Sequence, residues 1–184
     1  MKVLPSLDNI VNGEVTIESL KKVQVEDILG REAVVPQEKL LKKNIKGKNV
    51  LVTGAGGSIG SELCRQILEL SASKIVLIEN SEFNIYSVHQ ELLKSKKRVE
   101  IIPKLATVTN LQQVNQIIKE HEINTIFHAA AYKHVPMVEM NISEGVYNNV
   151  IGTYNVTKAA LDNNVENMLL ISTDKAVRLS LIHI

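Results

Sequence analysis

From Gly47 onward the chain alternates short apolar runs with longer stretches whose apolar residues return every three or four positions. Lys48–Thr53, Lys74–Glu79, Arg98–Ile102, Asn124–His128 and Asn167–Ser172 have the length and β-branched content of strands. A helix is expected from Ser58 to about Leu70, with Ile59, Leu63, Ile67 and Leu70 along one face. Ser81 reads as the cap of a second helix reaching about Lys94. Asn110–His121 forms a third around the stripe Leu111, Val114 and Ile118, and Ser143–Asn163 a long fourth. Strands alternating with helices at this spacing imply right-handed crossovers and a parallel sheet. Val50-Leu51-Val52 and Ile75-Val76-Leu77-Ile78 are continuously apolar, as strands covered on both faces should be. The expected architecture is an α/β, doubly wound parallel sheet of order 3-2-1-4-5, with its ligand at the carboxyl ends of the strands.

Residues 1–46 lack this regularity. Pro5, Asn12-Gly13, Gly30 and Pro36 punctuate them, leaving short helical patches at Thr16–Lys22 and Gln37–Lys43. They read as an arm or inter-domain connector preceding a domain over residues 47–178.

Composition narrows the function. Of the 184 residues 45% are hydrophobic, 22% charged and only 3% aromatic, which fits an aliphatic α/β core. A net charge of +1 without basic clusters among aromatics gives nucleic acid nothing to bind. The apolar stretches fall short of the roughly 20 residues a membrane helix needs, and the first residues lack a signal-peptide pattern. Cys64, the one cysteine, excludes an internal disulfide, points to a reducing compartment and falls inside a predicted helix as a buried structural thiol. The histidines are scattered, with no metal-ligand spacing.

Between the first strand and first helix lies Thr53-Gly54-Ala55-Gly56-Gly57-Ser58-Ile59-Gly60. Gly54 allows a tight turn, Gly57 lets the backbone approach a pyrophosphate, and Gly60 lets the helix pack closely. The helix start then offers unpaired N–H groups and partial positive charge to phosphates. A glycine loop without a ligand is the bland alternative, but the strand–turn–helix setting favours a Rossmann-like, NAD(P)-binding domain. Glu79, ending the second strand, is placed to accept hydrogen bonds from a ribose and to repel a 2′-phosphate, unless it is simply a solvated strand-end acid. With no Arg or Lys in Asn80-Ser81-Glu82, NAD is favoured over NADP, which remains the second choice.

The glycine turn resembles that of the extended short-chain dehydrogenase/reductases. Ala129-Ala130-Ala131-Tyr132-Lys133-His134-Val135-Pro136, Asn149-Val150-Ile151-Gly152-Thr153 and Ser172-Thr173-Asp174-Lys175-Ala176-Val177 narrow the resemblance. Together they resemble the bacterial UDP-N-acetylglucosamine 4,6-dehydratases of capsule, O-antigen and glycan synthesis. Val25–Arg31 resembles the connector of the large, membrane-anchored branch, and the likeness covers roughly Val15 to Arg178.

The resemblance implies a lyase that passes the C4 hydride of a UDP-sugar to NAD(P), eliminates water across C5 and C6, and returns the hydride to C6. Thr173 would then bond the C4 oxygen, Asp174 act as acid and Lys175 as base. It further implies that Thr53, Gly54, Gly57, Ser58, Ile59, Gly60, Glu79 and Ser172 serve the cofactor, with Ala129, Ala130 and Ala131 as small residues beneath it. Asn149 would hold helix geometry and a water, against the rival of a plain helix interior. Lys133 stands equally as a ligand contact or a solvated charge. Ser172–Lys175 would otherwise be an ordinary helix-capping turn. The complete parent would be a homo-oligomer anchored at the inner membrane, its catalytic domain in the cytoplasm.

Two departures matter. Where the family commonly has Gly-Asp-Val after the third strand, this chain has Ala106-Thr107-Val108, so Thr107 replaces an adenine-facing carboxylate. After Arg178 the family continues into a helix carrying Tyr or Met four positions before a ribose-binding Lys. Here Leu179-Ser180-Leu181-Ile182-His183-Ile184 follows, resembling translated sequencing adapter. The expectation is a foreign tail on a truncated domain without turnover of its own. An epimerase, which returns the hydride to C4, is the rival enzyme. A non-catalytic dinucleotide-binding module is the rival of another class.

Overall fold

The structure, a computed structural model, describes residues 37–95 and 97–172. Thr173, Asp174, Lys175 and the 179–184 segment lie outside the described residues, as does the expected helical patch at Thr16–Lys22.

Five strands form one parallel sheet: β1 (Asn49–Thr53), β2 (Lys74–Glu79), β3 (Glu100–Leu105), β4 (Thr125–His128) and β5 (Asn167–Leu170). Their order is β3-β2-β1-β4-β5, as the alternation of elements predicts. The helices are α1 (Glu38–Ile45), α2 (Ser58–Glu69), α3 (Glu82–Leu93), α4 (Leu111–Glu120), α5 (Val135–Met140), α6 (Ile142–Val146) and α7 (Gly152–Asp162). Among the described residues no helix is long and apolar enough to cross a membrane.

The central strands are apolar throughout because both their faces are covered. Val50 and Val52 of β1, with Ile75 and Leu77 of β2, meet Cys64 and Ile67 of α2 and Val88 and Leu92 of α3 on one face. Leu51, Val76, Ile78 and Ile126 meet Val114 and Ile118 of α4 and Val156 and Ala159 of α7 on the other. Burying an aliphatic side chain of this size stabilises the fold by roughly 1.5–3 kcal/mol. Cys64 is fully buried, and burial pushes its thiol up to about 12, as expected of a structural cysteine.

The structure modifies the expected elements in four places. Ile45 is buried in the core and the Asn44 carbonyl accepts from Thr125 Oγ1 at 2.8 Å, so the end of the segment read as an arm packs on the domain. The compact unit accordingly begins at Glu38. β3 runs on through Pro103 to Leu105, although the proline interrupts the apolar pattern. β3 is an outer strand, where a missing N–H is tolerated. α5 was not legible, because Val135–Met140 is too short to show a helical period; Pro136 sits in its first turn, where no intrahelical N–H is needed. Finally, the expected long helix is helical from Ile142 to Asp162 but contains a π-helical turn at Tyr147–Ile151 between α6 and α7.

Candidate functional site

The carboxyl ends of β1, β2 and β4 converge with the segment after β3 on a cavity of about 190 Å³. Gly54 and Gly57 line it on one side, and Glu79, Asn80 and Asn84 at the end of β2 and start of α3. Ala106, Thr107 and Val108 contribute from beyond β3, and Ala129, Ala130, Ala131 and Tyr132 from beyond β4. Asn148 of the π-helical turn completes it.

The glycines do distinct work. Gly54 has φ +65°, and a Cβ there would stand 2.7 Å from the Ala129 carbonyl oxygen and 2.8 Å from Ala130 Cα. Only glycine lets the turn lie against the end of β4. At Gly60 a Cβ would be 2.0 Å from the Gly54 carbonyl oxygen, so the first turn of α2 rests directly on the glycine loop. Gly57 is different: it is exposed, and it precedes α2 in extended backbone (φ −73°, ψ 168°). Its N–H closes the turn onto Gly54 O at 3.0 Å, leaving the first-turn N–H groups of Ser58, Ile59 and Gly60 without intrahelical acceptors. Ser58 and Ile59 are exposed. This helix start therefore presents donors and positive potential to an anion.

Glu79 is buried, and its carboxylate is tied into the loop from both sides. Gly56 N–H donates to Oε2 at 3.0 Å, while Asn80 N–H and Ser81 N–H donate to Oε1 at 3.1 and 3.2 Å. The acid thus joins β2 to the glycine turn as well as facing the cavity. Ser81 caps α3, accepting from Asn84 N–H, as its position predicts. Thr107 also lines the cavity, and its Oγ1 lies 2.9 Å from Thr109 Oγ1. Asn155 fixes this segment, donating from Nδ2 to the carbonyls of Val108 (3.3 Å) and Thr109 (2.9 Å).

Thr53 is fully buried; its Oγ1 lies 2.6 Å from His128 Nδ1 in the strand beside it. It belongs to the wall behind the cavity, not to its lining. Asn149 also works from behind: its Oδ1 accepts from Tyr132 N–H at 2.8 Å and its Nδ2 donates to Tyr132 O at 2.9 Å. Lys133 is exposed and lines a neighbouring cavity of about 440 Å³ with Tyr132, His134 and Met137. Ser172 is exposed just beyond β5. Asn80, Asn84 and Asn148 went unpredicted. Asn148 could have been suspected only from standing beside Asn149 in the sequence. Among the described residues no group of three or more His, Cys, Asp or Glu could hold a metal.

Residues 50–182 match the family described as "Polysaccharide biosynthesis protein". The chain is 43% identical to the capsular polysaccharide biosynthesis protein CapD of Staphylococcus aureus over 95% of its own length and 29% of that protein. It is 42% identical to the probable polysaccharide biosynthesis protein EpsC of Bacillus subtilis, over 96% of this chain and 30% of that one. It thus spans about three-tenths of the length of these relatives. More distant are a UDP-glucose 4-epimerase of Rickettsia rickettsii, at 32% over 71% of this chain and 38% of the relative, and a UDP-N-acetylglucosamine 4,6-dehydratase (inverting) of Campylobacter jejuni, at 30% over 71% and 37%. Among solved structures, Pen of Bacillus thuringiensis aligns with a TM-score of 0.67 and 30% identity over 73% of this chain and 40% of its own. WbmH of Bordetella bronchiseptica, in complex with NAD+, aligns with a TM-score of 0.56 and 26% identity over 72% and 42%. With its parallel sheet, its glycine turn and a family match across most of its length, the chain belongs to the polysaccharide biosynthesis protein family of extended short-chain dehydrogenase/reductases.

Proposed function

We propose that this chain is the dinucleotide-binding part of a nucleotide-sugar 4,6-dehydratase of the UDP-N-acetylglucosamine type. The observation that carries the reading is the cavity at the strand ends, walled by a glycine turn that no Cβ could enter at Gly54 or Gly60 and by the buried carboxylate of Glu79. These residues suit a dinucleotide. The N–H groups of Ser58, Ile59 and Gly60 hold its phosphates, Glu79 receives the adenosine ribose, Thr107 meets the adenine, and Ala129, Ala130 and Ala131 form a floor without bulk. Glu79 would repel a 2′-phosphate, which favours NAD over NADP. When bound, the nicotinamide supplies an acceptor and later a donor of hydride.

The remaining roles rest on the resemblance of Ser172–Val177. Thr173 holds the C4 oxygen, Asp174 gives a proton to the departing C6 hydroxyl, and Lys175 removes the C5 proton. Lys175 must be neutral to do so, which requires burial to lower its pKa well below the usual value of about 10.4. The domain proposed to bind the cofactor covers residues 47–178. In the complete protein we expect a UDP-sugar substrate, association into a homo-oligomer, and an inner-membrane anchor with this domain on the cytoplasmic side.

The 4-epimerase relative supports a second reading, oxidation and re-reduction at C4 alone. An epimerase expels no hydroxyl and has no use for an Asp174–Lys175 acid–base pair. Incubating the full-length protein with UDP-N-acetylglucosamine and NAD separates the two. A dehydratase yields a 4-keto product lighter by one water, an epimerase yields an isomer of unchanged mass, and recovery of the substrate unaltered defeats both.

A further inference from the structure

His128 ends β4 immediately before the alanines of the cavity floor, yet it does not line the cavity. Its ring is almost completely buried and has a partner at each nitrogen: Thr53 Oγ1 at 2.6 Å from Nδ1, and Thr153 Oγ1 at 2.9 Å from Nε2. The proton positions follow from the far end of the chain. Thr153 Oγ1 lies 2.7 Å from the carbonyl oxygen of Asn149, which can only accept, so the Thr153 proton is committed there. Toward His128 the Thr153 oxygen must therefore accept, and Nε2 carries the hydrogen. Burial keeps the ring neutral, so Nδ1 is left bare and accepts from the Thr53 hydroxyl.

The result is a directed relay: Thr53 donates to His128, His128 to Thr153, and Thr153 to the Asn149 carbonyl. The Asn149 side chain continues it by gripping both polar groups of the Tyr132 backbone. One end of this relay is the residue preceding Gly54, and the other is the far edge of the cavity floor. We propose that His128, as its Nε2–H tautomer, is a positioning residue that holds the glycine turn and the Ala129–Tyr132 floor at the separation a dinucleotide requires. The assignment of the ligand rests on the function proposed above; the relay itself does not.

The tautomer is read directly by ring-nitrogen NMR of the ¹⁵N-histidine-labelled 184-residue chain at pH 7, with the His128 signals identified by their loss in His128→Phe. The expected pattern is a protonated Nε2 and an unprotonated Nδ1; a protonated Nδ1, or a charged ring, overturns the relay. NAD affinity is then compared by calorimetry at a temperature where circular dichroism shows every variant folded. His128→Phe keeps the ring volume but severs both links, and should bind at least about tenfold more weakly. His128→Asn can still accept from Thr53 and His128→Gln can still donate to Thr153, so each should recover part of the loss. A Phe variant that binds like the wild type, or a loss that neither amide relieves, overturns the positioning role. If the wild type binds no NAD, the proposed function fails while the tautomer result still decides the relay.

Discussion

Gly57 and Gly60 stand three residues apart in one turn, yet replacing each by alanine should fail in a different way. At Gly57 the backbone is in a region open to any residue, and the added Cβ meets only Gly54 O at 3.3 Å, which a shift of a few tenths of an ångström relieves. Restricting the unfolded chain contributes about 0.4–1 kcal/mol of stability, which offsets that contact, so Gly57→Ala should unfold within about 1 kcal/mol of the wild type. Its methyl group, however, stands on the exposed lip where a phosphate must approach the first-turn N–H groups. Losing one charge-assisted hydrogen bond is worth about 1.5–3 kcal/mol, so NAD binding should weaken by roughly one to two orders of magnitude. At Gly60 the Cβ would lie 2.0 Å from Gly54 O and 2.9 Å from Ala55 Cα, both backbone atoms of a turn that is itself packed on β4. Overpacking of this kind typically costs about 1–3 kcal/mol, and Gly60→Ala should lose stability and binding together. Urea unfolding and calorimetry on the same preparations measure both quantities. A Gly57→Ala protein that binds NAD as tightly as the wild type would show that no phosphate sits on this lip. One that unfolds as readily as Gly60→Ala would refute the geometry of the turn.

Acid should destabilise the fold through His128. Burial holds its pKa down at about 4 from the ordinary 6.5, so between those values the unfolded chain binds a proton that the folded chain refuses. Stability is complete above pH 6.5 and is lost as the pH falls toward 4, by about 3 kcal/mol. Urea midpoints of wild type and His128→Phe should converge over that interval, and parallel profiles would contradict the burial. Cys64, with its thiol pushed up to about 12, should resist iodoacetamide in the folded chain and react once urea unfolds it; equal rates would place it at the surface. Glu79→Gln turns an amide NH2 toward at least one of the N–H donors of Gly56, Asn80 and Ser81, and should cost about 1–3 kcal/mol in urea unfolding. An unchanged midpoint would mean that the carboxylate does not bind the loop.

Strand order and the glycine turn were legible because each leaves a local mark. Val50-Leu51-Val52 is apolar at successive positions only because helices cover both faces, and Gly54 and Gly60 stand where the backbone touches itself. What depended on distant pairing was not legible. The relay through His128 arises because parallel register sets it opposite Thr53, and because α7 brings Thr153 across from a position 25 residues later. The π-helical turn hid a second feature. Asn148 and Asn149 both fall in it: Asn148 lines the cavity, while Asn149, expected to hold helix geometry and a water, grips the Tyr132 backbone from behind. A periodicity of 3.6 does not mark a π-helical turn inside a longer helix. Glu79 was found for its place at the end of β2, but its bond to Gly56 required the folded loop.

The start of α2 and the end of β2 must act together on one ligand for this cavity to hold a dinucleotide. Titrating NAD into the ¹⁵N-labelled chain and following its backbone amides tests this directly. Saturable shifts centred on Ser58, Ile59 and Gly60, with Asn80 and Ser81 moving at the same ligand concentration, are the predicted result. A folded chain whose amides in these two segments stay still at millimolar NAD, or move only elsewhere, would contradict it.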